Sequence, residues 1–188
     1  MKRCFWGLQA GAIYVTGKLV RRFFPVWGLA LCLPFLSQNA LSSTAWQPIN
    51  QTTATWLWLD VYQATLYGQG ELDRMNLLTE QTPLKLELCY LQAIDRQDFI
   101  KAASEGLPKR FSPELSTEVA RLHAEYQDVS AGDCYTLSYQ PDSGTQLALN
   151  GRTVFSTPVA GFKALYFGIW LGPKPLSDSV KQGLLEGL

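Results

Sequence analysis

Histidine occurs once in the 188 residues, at His123, and no Ser or Cys motif accompanies it. A lone imidazole without a nucleophile beside it makes no legible triad. There is no HExxH, no GxSxG and no Gly-rich phosphate loop, so zincin, hydrolase and nucleotide-binding chemistry have no footing here. CxxC pairs and His/Cys clusters are missing too, and no metal site or other cofactor is expected. Nor is there an acidic residue before Asp60, or an arginine between Arg22 and Arg74.

The missing acids make the formal net charge of zero misleading. Five of the 16 Lys and Arg (Lys2, Arg3, Lys18, Arg21 and Arg22) lie in the first 22 positions, leaving 11 against 16 Asp and Glu, a net charge of −5 for the remainder. A mildly acidic domain with no basic stripe has no electrostatic footprint for nucleic acid. The composition, 47% hydrophobic and 17% charged, is that of a globular chain, and the length suits one domain with its own core.

The early positive charge has a different use. Lys18, Arg21 and Arg22 precede a charge-free apolar run at 23–36 (FFPVWGLALCLPFL), and small or polar residues follow from Ser37 to Ala45. That is the order of a secretory signal. Residues 1–45 read as a signal peptide cleaved at about 42–45, and 46–188 as a periplasmic or secreted domain. The alternative is a domain anchored by an uncleaved leader. The run is short for a span, which needs about 20 apolar residues. Membrane association is therefore expected only through the leader, if it is retained.

Cys4 and Cys32 fall in the leader, so only Cys89 and Cys134 remain. An oxidising compartment permits one bond between them. Both lie in strand-like runs, where a free buried Cys is the other reading.

Pattern along the rest predicts α+β. Residues 56–67 (WLWLDVYQATLY) read as one long strand ended by Gly68 and Gly70, and 84–91 alternate as a strand with one buried face. Asp95 is the predicted cap of a helix over 96–109, with Phe99, Ile100, Ala103 and Leu107 inward. Ser112 and Pro113 start a second helix on Leu115, Val119, Leu122 and Tyr126. His123 falls opposite much of that stripe. Three short strands follow over 133–156, joined by turns at 141–144 and at Asn150-Gly151. A helix over 159–170 and a last one from Ser177 complete the chain. Strands and helices in separate blocks imply an antiparallel sheet covered on one face by helices.

Four segments in this order, VYQATLYG (61–68), LKLELCYLQAI (84–94), GDCYTLSYQPDSGTQLALNG (132–151) and FKALYFGIWLGPKPLSDSVKQGLL (162–185), resemble the bacterial chalcone-isomerase-like family. The resemblance implies the chalcone isomerase fold, an open-faced sandwich with a cleft between sheet and helices. It also implies two uses of that cleft: isomerisation of chalcones, or binding of fatty acids. Both rely on an arginine that, carried over by spacing, falls near Asn50, where an amide supplies no charge. The isomerases' strand hydroxyl matches Tyr62. Tyr67 and Tyr90 are further phenols on predicted strands, and Arg96 and Arg121 could bring charge from the helices.

The expected site residues are Tyr62, Tyr90, Asn50 and Arg96, with no catalytic residue assigned. The expected function is an exported, non-catalytic domain binding a small apolar or amphipathic, fatty-acid-like ligand. Two alternatives stand beside it. One is an intramolecular lyase or isomerase acting on a phenolic or enone substrate. The other is a ligand-free envelope interaction protein using Trp46, Trp56 and Trp58.

Overall fold

The strict alternation of LKLELCY, with every second residue apolar, gives a strand with one dry face. Leu84, Leu86, Leu88 and Tyr90 are buried and the residues between them are not. The computed structural model describes residues 45–188, and the same alternation organises its whole sheet. Six strands, β1 (Gln47–Trp56), β2 (Leu59–Gly68), β3 (Leu84–Tyr90), β4 (Cys134–Gln140), β5 (Gly144–Leu149) and β6 (Arg152–Thr157), pair in chain order, each antiparallel to the next. Register lines up Ala64, Leu88 and Tyr135, then Leu66, Leu86, Leu137, Leu147 and Phe155, in rows on one face. Four helices cover that face: α1 (Arg96–Gly106), α2 (Pro113–Glu125), α3 (Phe162–Leu171) and α4 (Asp178–Leu184). This is the expected α+β, one-sided architecture.

The expected long strand over 56–67 is instead the end of β1, a turn and β2. Leu57 and Trp58 make that turn. It contains no Gly, Asn, Asp or Pro, the residues by which a turn is normally read. The expected helix end at Lys109 is also corrected, to Gly106. Leu107 is extended (φ −81°, ψ 149°) because Pro108 disfavours helical backbone in the residue before it. Asp95 does not cap α1 with its side chain. Asp128 does so, accepting from Arg96 N at 2.8 Å, brought there by the Ile94–Val129 bridge. Ser112 and Ser177 do cap their helices, accepting from Leu115 N and Val180 N. Asn150 and Gly151, both at positive φ, form the tight β5–β6 turn.

α3 carries the core. Phe162, Lys163, Tyr166, Phe167 and Ile169 are all 0% exposed. The lysine is accommodated by two carbonyls: its Nζ donates to Thr79 O at 2.5 Å and Thr82 O at 2.6 Å, and lies 4.8 Å from the Tyr139 ring centroid. Burial lowers its pKa from 10.5 to about 8, partly offset by the charge of Glu80. A depressed folded pKa means that the unfolded chain binds the extra proton between the two values. Lys163 by itself is therefore expected to add about 2 kcal/mol of stability between pH 8 and pH 10. The buried tyrosines oppose this gain from about pH 9 upward, because their pKa values are raised in the fold and the unfolded chain gives up its phenol protons first. Urea unfolding at stepped pH should show this gain as the difference between the wild type and Lys163→Met, in which the tyrosine contribution cancels.

Cys89 and Cys134 are directly paired across β3 and β4 and are disulfide-bonded, on the face away from the helices. The bond joins positions 45 residues apart, so reduction is expected to lower stability by about 4 kcal/mol, measurable as a shift in the urea midpoint. Residues 1–44, and with them the signal peptide expected over 1–45 and its cleavage near 42–45, lie outside the described residues. Among the described residues no helix is long and apolar enough to cross a membrane.

Candidate ligand cavity between sheet and helices

The inward faces of the sheet and of α1 and α3 do not meet everywhere. Small residues at Ala54 on β1 and at Ala102 and Ala103 on α1 leave a cavity of about 650 Å³ between the layers. Its floor is Leu88, Tyr90, Tyr135 and Leu137 from β3 and β4, and its roof is Phe99, Tyr166, Ile169 and Trp170 from α1 and α3. Tyr126, one residue beyond α2, closes it from the side.

The inner end is an aromatic nest. Phe99 stacks on Tyr126 with ring centroids 5.3 Å apart and meets Tyr90 and Tyr135 edge-on at 5.1 and 5.4 Å. A buried phenol needs a partner for its hydroxyl, and most have one. The Tyr126 and Tyr166 hydroxyls hydrogen-bond each other at 2.8 Å. Tyr135 Oη accepts from Gln127 N at 2.8 Å, and Tyr62 Oη accepts from Trp170 Nε1 at 3.3 Å. The Tyr90 hydroxyl has no protein partner among the described residues. Within the Tyr126–Tyr166 pair one proton lies between the two oxygens, which leaves the other free to donate. Burial raises the pKa of Tyr62, Tyr90, Tyr126 and Tyr166 above the ordinary phenol value, so the nest is neutral at any physiological pH. It offers hydroxyl donors and no charge.

Charge is confined to the mouth. Among the described residues lining the cavity, the acidic and basic side chains are Asp98, Lys101 and Glu105, all three exposed on α1. Trp56, Leu59 and Leu176 are exposed apolar residues of the same lining, with Thr55 and Ser177 beside them in the chain.

The expected site residues divide cleanly. Tyr62 and Tyr90 face each other across β2 and β3, centroids 5.8 Å apart, and both line the cavity. Asn50 does not. It is on the inward face of β1, four residues from Ala54 and so about 13 Å along the strand, and its Nδ2 donates to Leu184 O at 3.1 Å and Glu186 O at 2.7 Å. With Arg74, which donates to Leu185 O, it holds the C-terminal turn. Arg96 is also elsewhere, its guanidinium donating to Ala124 O at 3.3 Å. Arg121 pairs with Glu118 at 2.6 Å over the Phe155 ring, and Tyr67 donates to Glu87 on the outer face of the sheet.

His123 is not turned away from the core as its place on the helix suggested. Its ring lies 5.9 Å from Tyr126 and 6.2 Å from Tyr166, and Nε2 is buried without a partner. Burial lowers its pKa, so it is neutral at pH 7. Sequence reasoning took Phe99, Tyr126 and Tyr166 as core stripe and missed them as site residues. The available signal was tyrosine on otherwise aliphatic helix faces, where a hydroxyl must be answered. Among the described residues no cluster of His, Cys, Asp or Glu could hold a metal ion.

A family model described as chalcone isomerase-like matches residues 53–186. Among solved structures, a crystal structure of a fatty-acid binding protein from Arabidopsis thaliana is similar, with a TM-score of 0.54 at 12% identity, covering 72% of this chain and 82% of that one. At that identity the likeness concerns the fold alone. No curated protein matches the sequence.

Proposed function

The chain belongs to the chalcone isomerase-like family, and on that premise we propose that it is an exported binding protein, not an isomerase. Its cavity takes a small apolar molecule bearing one uncharged hydrogen-bonding group. The observation that carries this reading is the lining: aromatic and aliphatic walls, neutral hydroxyls at the inner end, and ions only at the mouth. An alcohol, an aldehyde, an ester or a protonated fatty acid fits such a site with its polar group inward. The fatty-acid binding protein of similar fold adds support for an acyl-like ligand.

Isomerisation of a chalcone-like enone needs a group that meets the charge developing on the substrate. Neither arginine nor a metal-binding cluster stands in the cavity among the described residues, and the neutral phenols of the inner end have no carboxylate, imidazole or lysine among the lining residues there to move a proton. The charge order of the leader supports the export part of this reading, with the site in the periplasm or outside the cell.

The test uses N-phenylnaphthylamine, a neutral probe that fluoresces on entering an apolar site. The wild type is expected to take it up and to release it to dodecanol. Ala103→Trp should lose it by filling the cavity from α1, with circular dichroism confirming the fold. No uptake by the wild type, or full uptake by a folded Ala103→Trp, would overturn the reading.

A further inference from the structure

Four apolar residues stand in solvent where β1 turns into β2. Trp56 is 71% exposed, Leu57 71%, Trp58 86% and Leu59 44%. Trp56 and Leu59 form the last pair of the ladder, and Leu57 and Trp58 make the two-residue connection. Leu57 has a φ of 57°. In a two-residue hairpin with positive φ at its first residue, glycine is strongly favoured. Here a branched side chain takes the left-handed position and a tryptophan follows it, both exposed. The fold would be easier with Gly-Ser at the same place. A costly local choice that leaves apolar surface in water is a reason to look for a partner.

Size and shape select that partner. A stable contact with a second copy or another folded protein takes about 20–30 residues a side. The tip offers four, on a convex end. A bilayer asks for no complementary shape, and Trp beside Leu is the composition that settles between headgroups and acyl chains. The tip also reaches the cavity mouth, since Trp56 and Leu59 belong to both. Behind the turn, Thr55 Oγ1 donates to Asp60 Oδ1 at 2.7 Å, a polar pair that limits insertion to the turn itself.

We propose that the β1–β2 tip inserts into the surface of a lipid bilayer and sets the cavity mouth against it, so that an apolar ligand passes between membrane and protein without crossing water. With 11 Lys and Arg against 16 Asp and Glu outside the first 22 residues, attachment rests on apolar insertion, not on anionic headgroups, and added salt leaves it in place. This goes beyond the ligand-binding reading, and the two fail separately: the cavity can take its probe while vesicles are ignored, and the reverse.

The experiment uses full-length protein and vesicles of phosphatidylcholine, with and without bromine-labelled acyl chains. Co-sedimentation and quenching of tryptophan fluorescence by the labelled chains are the readouts. The comparison is Leu57→Gly with Trp58→Ser, which relieves the backbone while removing the apolar tip; residues 1–44 are the same in both proteins. The variant is expected to lose about tenfold or more in vesicle partitioning and most of the quenching difference, to keep N-phenylnaphthylamine uptake, and to melt no lower than the wild type. Equal partitioning of the two proteins overturns the proposal. So does a dimer in sedimentation velocity, free of lipid, that the variant abolishes, because a second copy would then cover the tip.

Discussion

Dodecanol is expected to bind at least a hundredfold more tightly than dodecanoate at pH 8. Both offer the same chain to the same apolar walls, so the difference lies in the head. The alcohol can both donate and accept among the Tyr90, Tyr126 and Tyr166 hydroxyls, all buried. The carboxylate would enter a nest with no cation in it, at an effective desolvation cost of several kcal/mol. About 2.7 kcal/mol already makes a hundredfold. As the pH falls toward the pKa of dodecanoic acid the gap should close, by up to tenfold per pH unit, because the protonated acid regains a donor and loses its charge. Titration calorimetry at pH 8 and pH 6 measures both effects. Lys101→Met is the control. Among the described residues Lys101 is the sole basic one lining the cavity, and it stands exposed at its mouth, so with the head inward its loss should change either affinity by less than about twofold. Tight dodecanoate binding that collapses in Lys101→Met would instead place the head at the mouth.

Phe162→Ala is expected to cost about 3–5 kcal/mol of stability, a fall of roughly 10–15 °C in melting temperature for a domain of this size. The ring is fully buried, lies parallel to Tyr166 at 5.4 Å and touches Phe155 of β6 at 5.5 Å. It therefore backs the tyrosine whose hydroxyl faces the cavity. Differential scanning calorimetry reads the first effect. Binding of dodecanol below the lowered melting temperature reads the second: affinity should weaken as the Tyr126–Tyr166 pair loses its support. Tyr166→Phe separates the two, removing the hydroxyl while keeping the ring, so it should weaken dodecanol binding more than it lowers stability.

Much of the fold could be read from the chain because its signals are local. LKLELCY alternates with period two and becomes β3; Ser112-Pro113 and Ser177 mark helix starts that the structure keeps; Asn150-Gly151 turns as such a pair must. The misreadings occur where local chemistry speaks for something other than folding. Leu57-Trp58 carries no turn residue, so β1 and β2 merged into one expected strand and Gln47–Trp56 went unseen. The helix over 96–109 ran past Pro108 because the apolar period continued through Leu107.

The site was less legible, since it is assembled from residues far apart in the chain. Tyr62 and Tyr90 were visible as strand phenols, but Tyr126 and Tyr166 meet only after α2 and α3 cross over the sheet. Spacing to the family pattern puts Asn50 in the site. Its amide instead serves the backbone carbonyls after α4, a use that depends on a contact 134 residues away. Arg96 has a similar local explanation in the carbonyl at the end of α2.

A native mass spectrum of the protein purified from the cells that make it bears most directly on the binding role. A single additional mass per chain is expected, released by mild activation or by excess dodecanol and absent from Ala103→Trp. Extraction should identify it as a neutral, largely aliphatic molecule. Protein that is always empty, and whose melting temperature no lipid or fatty alcohol raises, would contradict a ligand-binding role for this cavity.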